Sequence, residues 1–223
     1  MDQTRLSIKV WDVPTRLFHW LMVGLIGGLW WTASVGEMQW HQLLGYVLLN
    51  LVLCRLIWGL IGSDTARFSF FMVSPKRALM YLWSRSEHKP TLGHNPIGGY
   101  MVLLLILLLC IQLVSGLFAT DEIFTEGPLF SYVSSSTSAW LTWLHKNNFD
   151  LLLVFSSMHV LAVLVHLFKG DNLITAMFTG SKSPVKAQHK PIKFVSSFIA
   201  LGAFLVIGSV IFYYWVIPLL SML

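Results

Sequence analysis

Between Leu17 and Gly36 the chain carries no formally charged side chain, and four further stretches, at about 40–61, 97–119, 147–168 and 194–217, are nearly as apolar. Each is long enough to cross roughly 30 Å of hydrocarbon, which takes about 20 helical residues. With 56% hydrophobic residues, 11% charged residues and a mean hydropathy of +0.69, the chain holds far more apolar surface than a soluble core of 223 residues could hide. The expected class is therefore an all-α membrane protein. No small-residue cleavage site follows the first stretch, and more spans come after it, so it is expected to be retained and not removed as a signal peptide.

Lysine and arginine set the expected orientation. The N-terminal tail carries Arg5, Lys9 and Arg16. The 62–96 connection carries Arg67, Lys76, Arg77, Arg85 and Lys89, and the 169–193 connection carries Lys169, Lys182, Lys186, Lys190 and Lys193. Residues 37–39 and 120–146, on the other side, hold only Lys146 against Glu37, Asp121, Glu122 and Glu126. A cytoplasmic N-terminus and a periplasmic C-terminus follow. The net charge of +5 is thus a topology signal, and nucleic-acid binding needs no part in it.

Tryptophan fits the same map as an aromatic belt, with Trp30, Trp31, Trp40, Trp140, Trp143 and Trp215 at outer ends of spans and Trp11, Trp58 and Trp83 at inner ends. Ser74-Pro75 reads as the start of a short helix, PKRALMYLWSR, expected to lie flat on the inner leaflet. Cys54 and Cys110 fall in different spans and no C-x-x-C-H occurs, so neither a disulfide framework nor covalent haem is indicated.

The eight histidines sort by depth. His88 and His189 read as solvated loop residues. His145 and His159 lie 14 residues apart on the fourth span, close to four helical turns, so they share one face and are separated by about 21 Å of rise. His41 starts the second span at the outer level, and His19 stands near the beginning of the first at the inner level. Each level therefore receives two histidines from different helices: His41 with His145 outside, His19 with His159 inside. Ionisable residues inside spans are rare and usually functional.

Two facing imidazoles at each of two depths suit two non-covalent haems b, whose irons take nitrogen ligands from above and below. Zinc would want four nitrogen or sulfur ligands at one point, and neither level offers a cysteine. For each histidine alone, a proton relay or a structural hydrogen bond is the plainer reading. Gly24, Gly27, Gly28, Gly45, Gly98, Gly99 and Gly116 permit close approach of something bulky, although membrane helix packing favours glycine as well. Arg16, three residues before His19, is a candidate contact to such a cofactor; Arg55 either pairs with a haem propionate or snorkels to the headgroups.

Taken in order, R-L-F-H-W at 16–20, H-Q-L-L-G-Y and C-R-L-I-W-G within 41–59, P-K-R-A-L-M-Y-L from 75, G-H-N-P-I-G-G at 93–99 and M-H-V-L-A-V-L-V-H from 158, with N-L-I-T-A-M-F-T-G-S-K ending at 182, resemble the bacterial cytochrome b561 and nickel-iron hydrogenase cytochrome b family. The likeness covers about residues 10–182. It implies a four-helix transmembrane bundle with two bis-histidine haems b, its ligands falling on His19, His41, His145 and His159, passing electrons between a quinone and a partner redox protein. The rest, 183–223, reads as a linker and a fifth C-terminal transmembrane helix for packing or partner docking.

From these expectations comes a di-haem cytochrome of the bacterial inner membrane, linking the quinone pool to a periplasmic partner such as a c-type cytochrome, which the acidic stretch 120–128 would suit. A membrane anchor for a periplasmic hydrogenase or dehydrogenase is the alternative, and a histidine-based proton or metal transporter a weaker one. By resemblance, Asn95 and His159 contact the quinone, with His94 and His166 nearby as hydrogen-bonding groups. The competing reading of Asn95, which precedes Pro96, is a helix cap; for His166 it is a propionate partner.

Overall fold

The computed structural model describes residues 7–83, 93–123, 125–182 and 191–221. After a two-residue strand β1 (Ile8–Lys9) come α1 (Val13–Ser34) and α2 (Met38–Ile61), short helices α3 (Phe68–Phe71) and α4 (Pro75–Trp83), then α5 (Pro96–Gly116) and α6 (Ser135–Phe168). α7 (Leu173–Thr179), strand β2 (Ser181–Lys182) and α8 (Ser197–Ile211) follow, and α8 continues through one π-type turn, Phe212–Val216, into α9 (Ile217–Leu220). Five helical segments, among the described residues, are long and apolar enough to cross a membrane.

α2 is the central helix. Over half of its most apolar window is fully buried inside the protein, against under a fifth in each of the other four spans. α1 and α8 pack on it through Phe18, Leu51, Cys54, Trp58 and Ala200. α5 and α6 pack on each other and meet α2 through Leu48, Val52, Leu108, Leu109 and Leu152. Among the described residues α1 and α6 pack on each other far less than α5 and α6 do, and His19 and His159 face each other across the slot between them.

Local chemistry explains the helix ends. The Asp12 carboxylate accepts the Thr15 N–H at 2.9 Å, with Pro14 in the first turn, so α1 starts at Val13. Gly36, at φ +78°, makes the tight turn that returns α2 antiparallel to α1, a conformation that side chains with a Cβ rarely adopt. The π-type turn falls ahead of Pro218, whose ring lacks an N–H and crowds the carbonyl of Tyr214.

α6 begins at Ser135, earlier than the apolar stretch starting near 147 suggested. Ser134 caps it by accepting the Thr137 N–H. Its 34 residues rise about 51 Å, so the helix projects well beyond a hydrocarbon layer of roughly 30 Å. Hydropathy detects only the apolar part, whereas the backbone ladder runs on through S-S-T-S-A-W-L-T-W-L-H-K.

At the face carrying the N-terminus, the three basic segments converge. β1 pairs antiparallel with β2, Ile8 opposite Lys182, and Asp64 bonds the backbone of Lys193 through both its own N–H (3.0 Å) and its carboxylate (2.8 Å). Trp30, Trp31, Trp40, Trp140, Trp143 and Trp83 are exposed, as belt residues should be. Trp11 and Trp58 are not: both are buried, and the Trp58 indole donates to Asp12 at 2.9 Å. Trp215 packs against Tyr46 instead of standing free. The helix expected after Ser74 forms as α4, its Met80 and Trp83 exposed beside Lys76 and Arg77. His88 and His189 lie outside the described residues.

Candidate functional site

The structure brings four of the histidines together as two pairs. On the side of the α1–α2 turn, His41 from the first turn of α2 and His145 from α6 face each other with ring centres 6.2 Å apart. Toward the N-terminal face, His19 of α1 and His159 of α6 stand 6.4 Å apart across the slot. Two imidazole nitrogens on opposite sides of one iron, each about 2 Å from it as such nitrogens lie from first-row metals, put the ring centres about 6 Å apart. Both pairs fit that spacing.

Hydrogen bonds at the first level fix which nitrogen is free. Nδ1 of His41 lies 3.0 Å from the carbonyl of Leu29, and Nδ1 of His145 lies 2.8 Å from that of Gln112. A carbonyl only accepts, so each Nδ1 carries the proton and each Nε2 keeps its lone pair. This is the usual way a metal-binding imidazole is oriented. Gln112 also donates to the backbone of His145 at 2.9 Å, and Asn148 holds the Gln112 side chain at 2.7 Å. Gln112 and Asn148 escaped the sequence reading, though polar amides inside spans were the signal for them.

A cavity of about 650 Å³ opens beside this pair, lined by Leu29, Gly45, Leu49, Gln112, Gly116 and Phe149 as well as both histidines. That size and its apolar walls with few polar groups suit a flat organic cofactor. Gly116 serves His145 directly: a Cβ there would lie 2.8 Å from its Cε1. Other glycines do other work. Gly28 receives Leu44 of α2, Gly99 receives Phe71, and Gly98 follows the Asn95 cap, so only Gly24 and Gly27 of the expected set face open space.

The remaining candidate residues gather at the N-terminal end. Arg55 does not snorkel: it is 5% exposed, donates to the Ala66 carbonyl at 3.3 Å, lies over the Phe68 ring and has the Asp12 carboxylate as its nearby opposite charge. α2 is covered here by α1 and α3, which leaves the side chain buried. Arg16 donates through Nη1 to the carbonyl of Phe178. His94 is wedged between the rings of Trp11 and Phe71, each 4.8 Å away, and burial, with the Arg55 charge and His159 and His19 adding to it, pushes its pKa down to about 3. It is therefore neutral at ordinary pH.

Asn95 caps α5, its Oδ1 accepting the Gly98 N–H at 2.7 Å, while its amide nitrogen contacts His166 Nε2 at 3.3 Å. His166 in turn faces Asp171 at 3.4 Å, and Lys182 pairs with Asp171 at 2.9 Å. The helix-cap reading of Asn95 is thus correct for its oxygen. Both Cys54 and Cys110 are free thiols. Among the described residues no three His, Cys, Asp or Glu side chains group to hold a bare metal ion, so the histidines stand as pairs and not as a metal cage.

Residues 10–180, more than three quarters of the chain, match the family described as prokaryotic cytochrome b561. This chain belongs to that family. Among curated proteins, the cytochrome is similar to a probable Ni/Fe-hydrogenase B-type cytochrome subunit of Rhizobium leguminosarum bv. viciae, at 22% identity over 80% of this chain and 90% of the relative. A protein of the same description from Azotobacter vinelandii is 25% identical over 78% and 88% of the two chains. No solved structure gives a significant match. The cytochrome is accordingly an all-α, multi-pass membrane protein of b-type haem and electron transfer, and the α8–α9 span lies beyond the matched region.

Proposed function

We propose that the chain carries electrons across the bacterial inner membrane on two haems b, one held by His41 and His145 and the other by His19 and His159, between a periplasmic redox partner and a quinone bound near the cytoplasmic face. The two facing imidazole pairs, 6.2 and 6.4 Å between ring centres at two depths of α6, carry this reading. A haem held by two histidines would supply a one-electron carrier with no position left open for oxygen or substrate. The protein's part is to hold the planes at fixed depths: Leu29 and Gln112 orient the outer imidazoles through their Nδ1 protons, and Gly116 makes room for one of them.

For the outer partner, the names of the relatives favour a hydrogenase-type subunit, with this chain as its cytochrome and membrane anchor. The c-type cytochrome reading retains support from the acidic turn of Asp121, Glu122 and Glu126, which would meet a basic surface. Co-purification separates the two: a large metal-containing subunit in stoichiometric yield favours the first, and salt-sensitive binding of a soluble cytochrome c the second.

On the quinone side, Asn95, His94, His166 and the inner ligand His159 supply the polar groups that a two-proton carrier needs. Asn95→Ser keeps a cap-forming oxygen for the Gly98 N–H and removes the amide that meets His166. Both haem spectra should persist while haem reduction by a soluble quinol slows severalfold in stopped flow. An unchanged rate would place the quinone elsewhere.

Orientation is tested separately. A phosphatase fused after residue 223 should be active and a fluorescent protein that matures only in the cytoplasm dark, given five spans and basic segments on the N-terminal side. The opposite pair of results means that the last helix does not cross.

A further inference from the structure

Buried polar atoms that lack a partner are uneven across this molecule. Among the described residues they are Thr15 Oγ1, Arg16 Nε, His19 Nδ1, Trp20 Nε1, Arg67 Nε and His94 Nδ1, all at the N-terminal end and none at the level of His41 and His145. At that outer level the corresponding Nδ1 atoms both reach carbonyls. Native proteins rarely leave buried donors unpaired unless something else fills the place.

Three of these atoms lie within one turn of α1, at i, i+3 and i+4, and so on one helix face. Two are held firmly. The Trp20 ring stacks on Phe178 at 4.3 Å between centres and 19° between planes, and Arg16 donates to the Phe178 carbonyl, so α7 fixes both side chains. Gly180, at φ +84°, brings its backbone to Arg16: a Cβ there would lie 3.2 Å from Arg16 Nε and 2.8 Å from the Trp11 carbonyl oxygen. Trp11 also packs on His94, whose Nδ1 is a further shielded, unpaired atom, with the Arg55 charge in electrostatic range. No described carboxylate forms an ion pair with Arg16. An acceptor placed here meets two fixed N–H donors and a guanidinium charge, which selects an anionic oxygen.

We infer that Arg16 and Trp20, with His94 beside them, seat the carboxylates of the haem held by His19 and His159, so that this haem turns its carboxylate edge toward the N-terminal face. The outer level differs: its imidazole nitrogens meet the neutral Gln112 and Thr32, and the described cation lining its cavity, Lys146, is accompanied there by Asp121 and Asp150. The same chemistry could come from an anionic lipid headgroup, and the two sources differ in what they do to the haem. This inference rests on the proposed ligands of the inner haem.

Potentiometric titration of the visible haem bands in Arg16→Gln, Trp20→Phe and Arg16→Lys tests it, with the inner step identified as the one missing from His159→Ala. Removing a positive charge beside a haem favours its oxidised, more positive state. Arg16→Gln should therefore keep both haems and move the inner step alone to lower potential, Trp20→Phe should move it less, and Arg16→Lys should return it toward wild type. Both potentials unmoved in Arg16→Gln and Trp20→Phe, with both haems present, overturns the inference and leaves the site to a lipid headgroup. Equal movement of both steps overturns it too, as a global rearrangement. Should Arg16→Gln fail to assemble, Trp20→Phe, which deletes only the N–H, decides alone. A wild-type protein with one haem, or an inner step that survives in His159→Ala, instead defeats the ligand assignment on which the inference stands.

Discussion

His41→Ala or His145→Ala should remove one of two haems and leave the other spectrally intact, read as a halving of pyridine haemochrome per polypeptide. The imidazoles of this pair come from α2 and α6, and each is oriented by its own carbonyl, so on the proposed assignment losing either ring would leave one side of the iron without a nitrogen. The inner pair uses His159, about 21 Å along the same helix from His145, and shares no side chain with the outer one. A wild-type ratio of one haem per chain, or loss of both haems together, would defeat the two-level arrangement.

Gly116→Ala should mimic that loss without replacing a proposed ligand. The added methyl would lie 2.8 Å from Cε1 and 3.0 Å from Nδ1 of His145. The Nδ1 bond to Gln112 holds the ring against moving away, so either that bond breaks or the ring tilts off the axis to His41. Gly202→Ala on α8, outside the set of glycines expected near a cofactor, is the matched control, because a Cβ there meets nothing within 4 Å. The expected outcome is a strongly reduced outer-haem signal in Gly116→Ala and a normal spectrum in Gly202→Ala. Equal haem content in both would show that the ring yields at little cost.

These two substitutions mark where sequence reading stops. Gly202 and Gly116 look alike in the chain, both small residues in apolar spans, and only the packing distinguishes an open surface from the wall behind a histidine. Arginine 55 is similar. An arginine near the end of a span either snorkels or is enclosed, and the choice was made by α1 and α3, which close over it. Trp11 and Trp58 fit the composition of an interfacial belt, yet they became part of a buried corner with Asp12 and His94 because the N-terminal segment folds back there.

By itself the sequence determined the spans, the gathering of the basic segments at one face and the shared face of His145 and His159. All of these depend on local properties: hydropathy over about 20 residues, charge in short loops and the helical period. It also carried the family resemblance, through motifs whose order survives in one chain. Tertiary structure alone decided the distances across the slot, the tautomers of His41 and His145 set by the carbonyls of Leu29 and Gln112, and the enclosure of Arg55. Those depend on atoms 12 to 140 residues apart meeting through helix packing, as Leu29 with His41 and His19 with His159 do, and no periodicity within a segment encodes such a meeting.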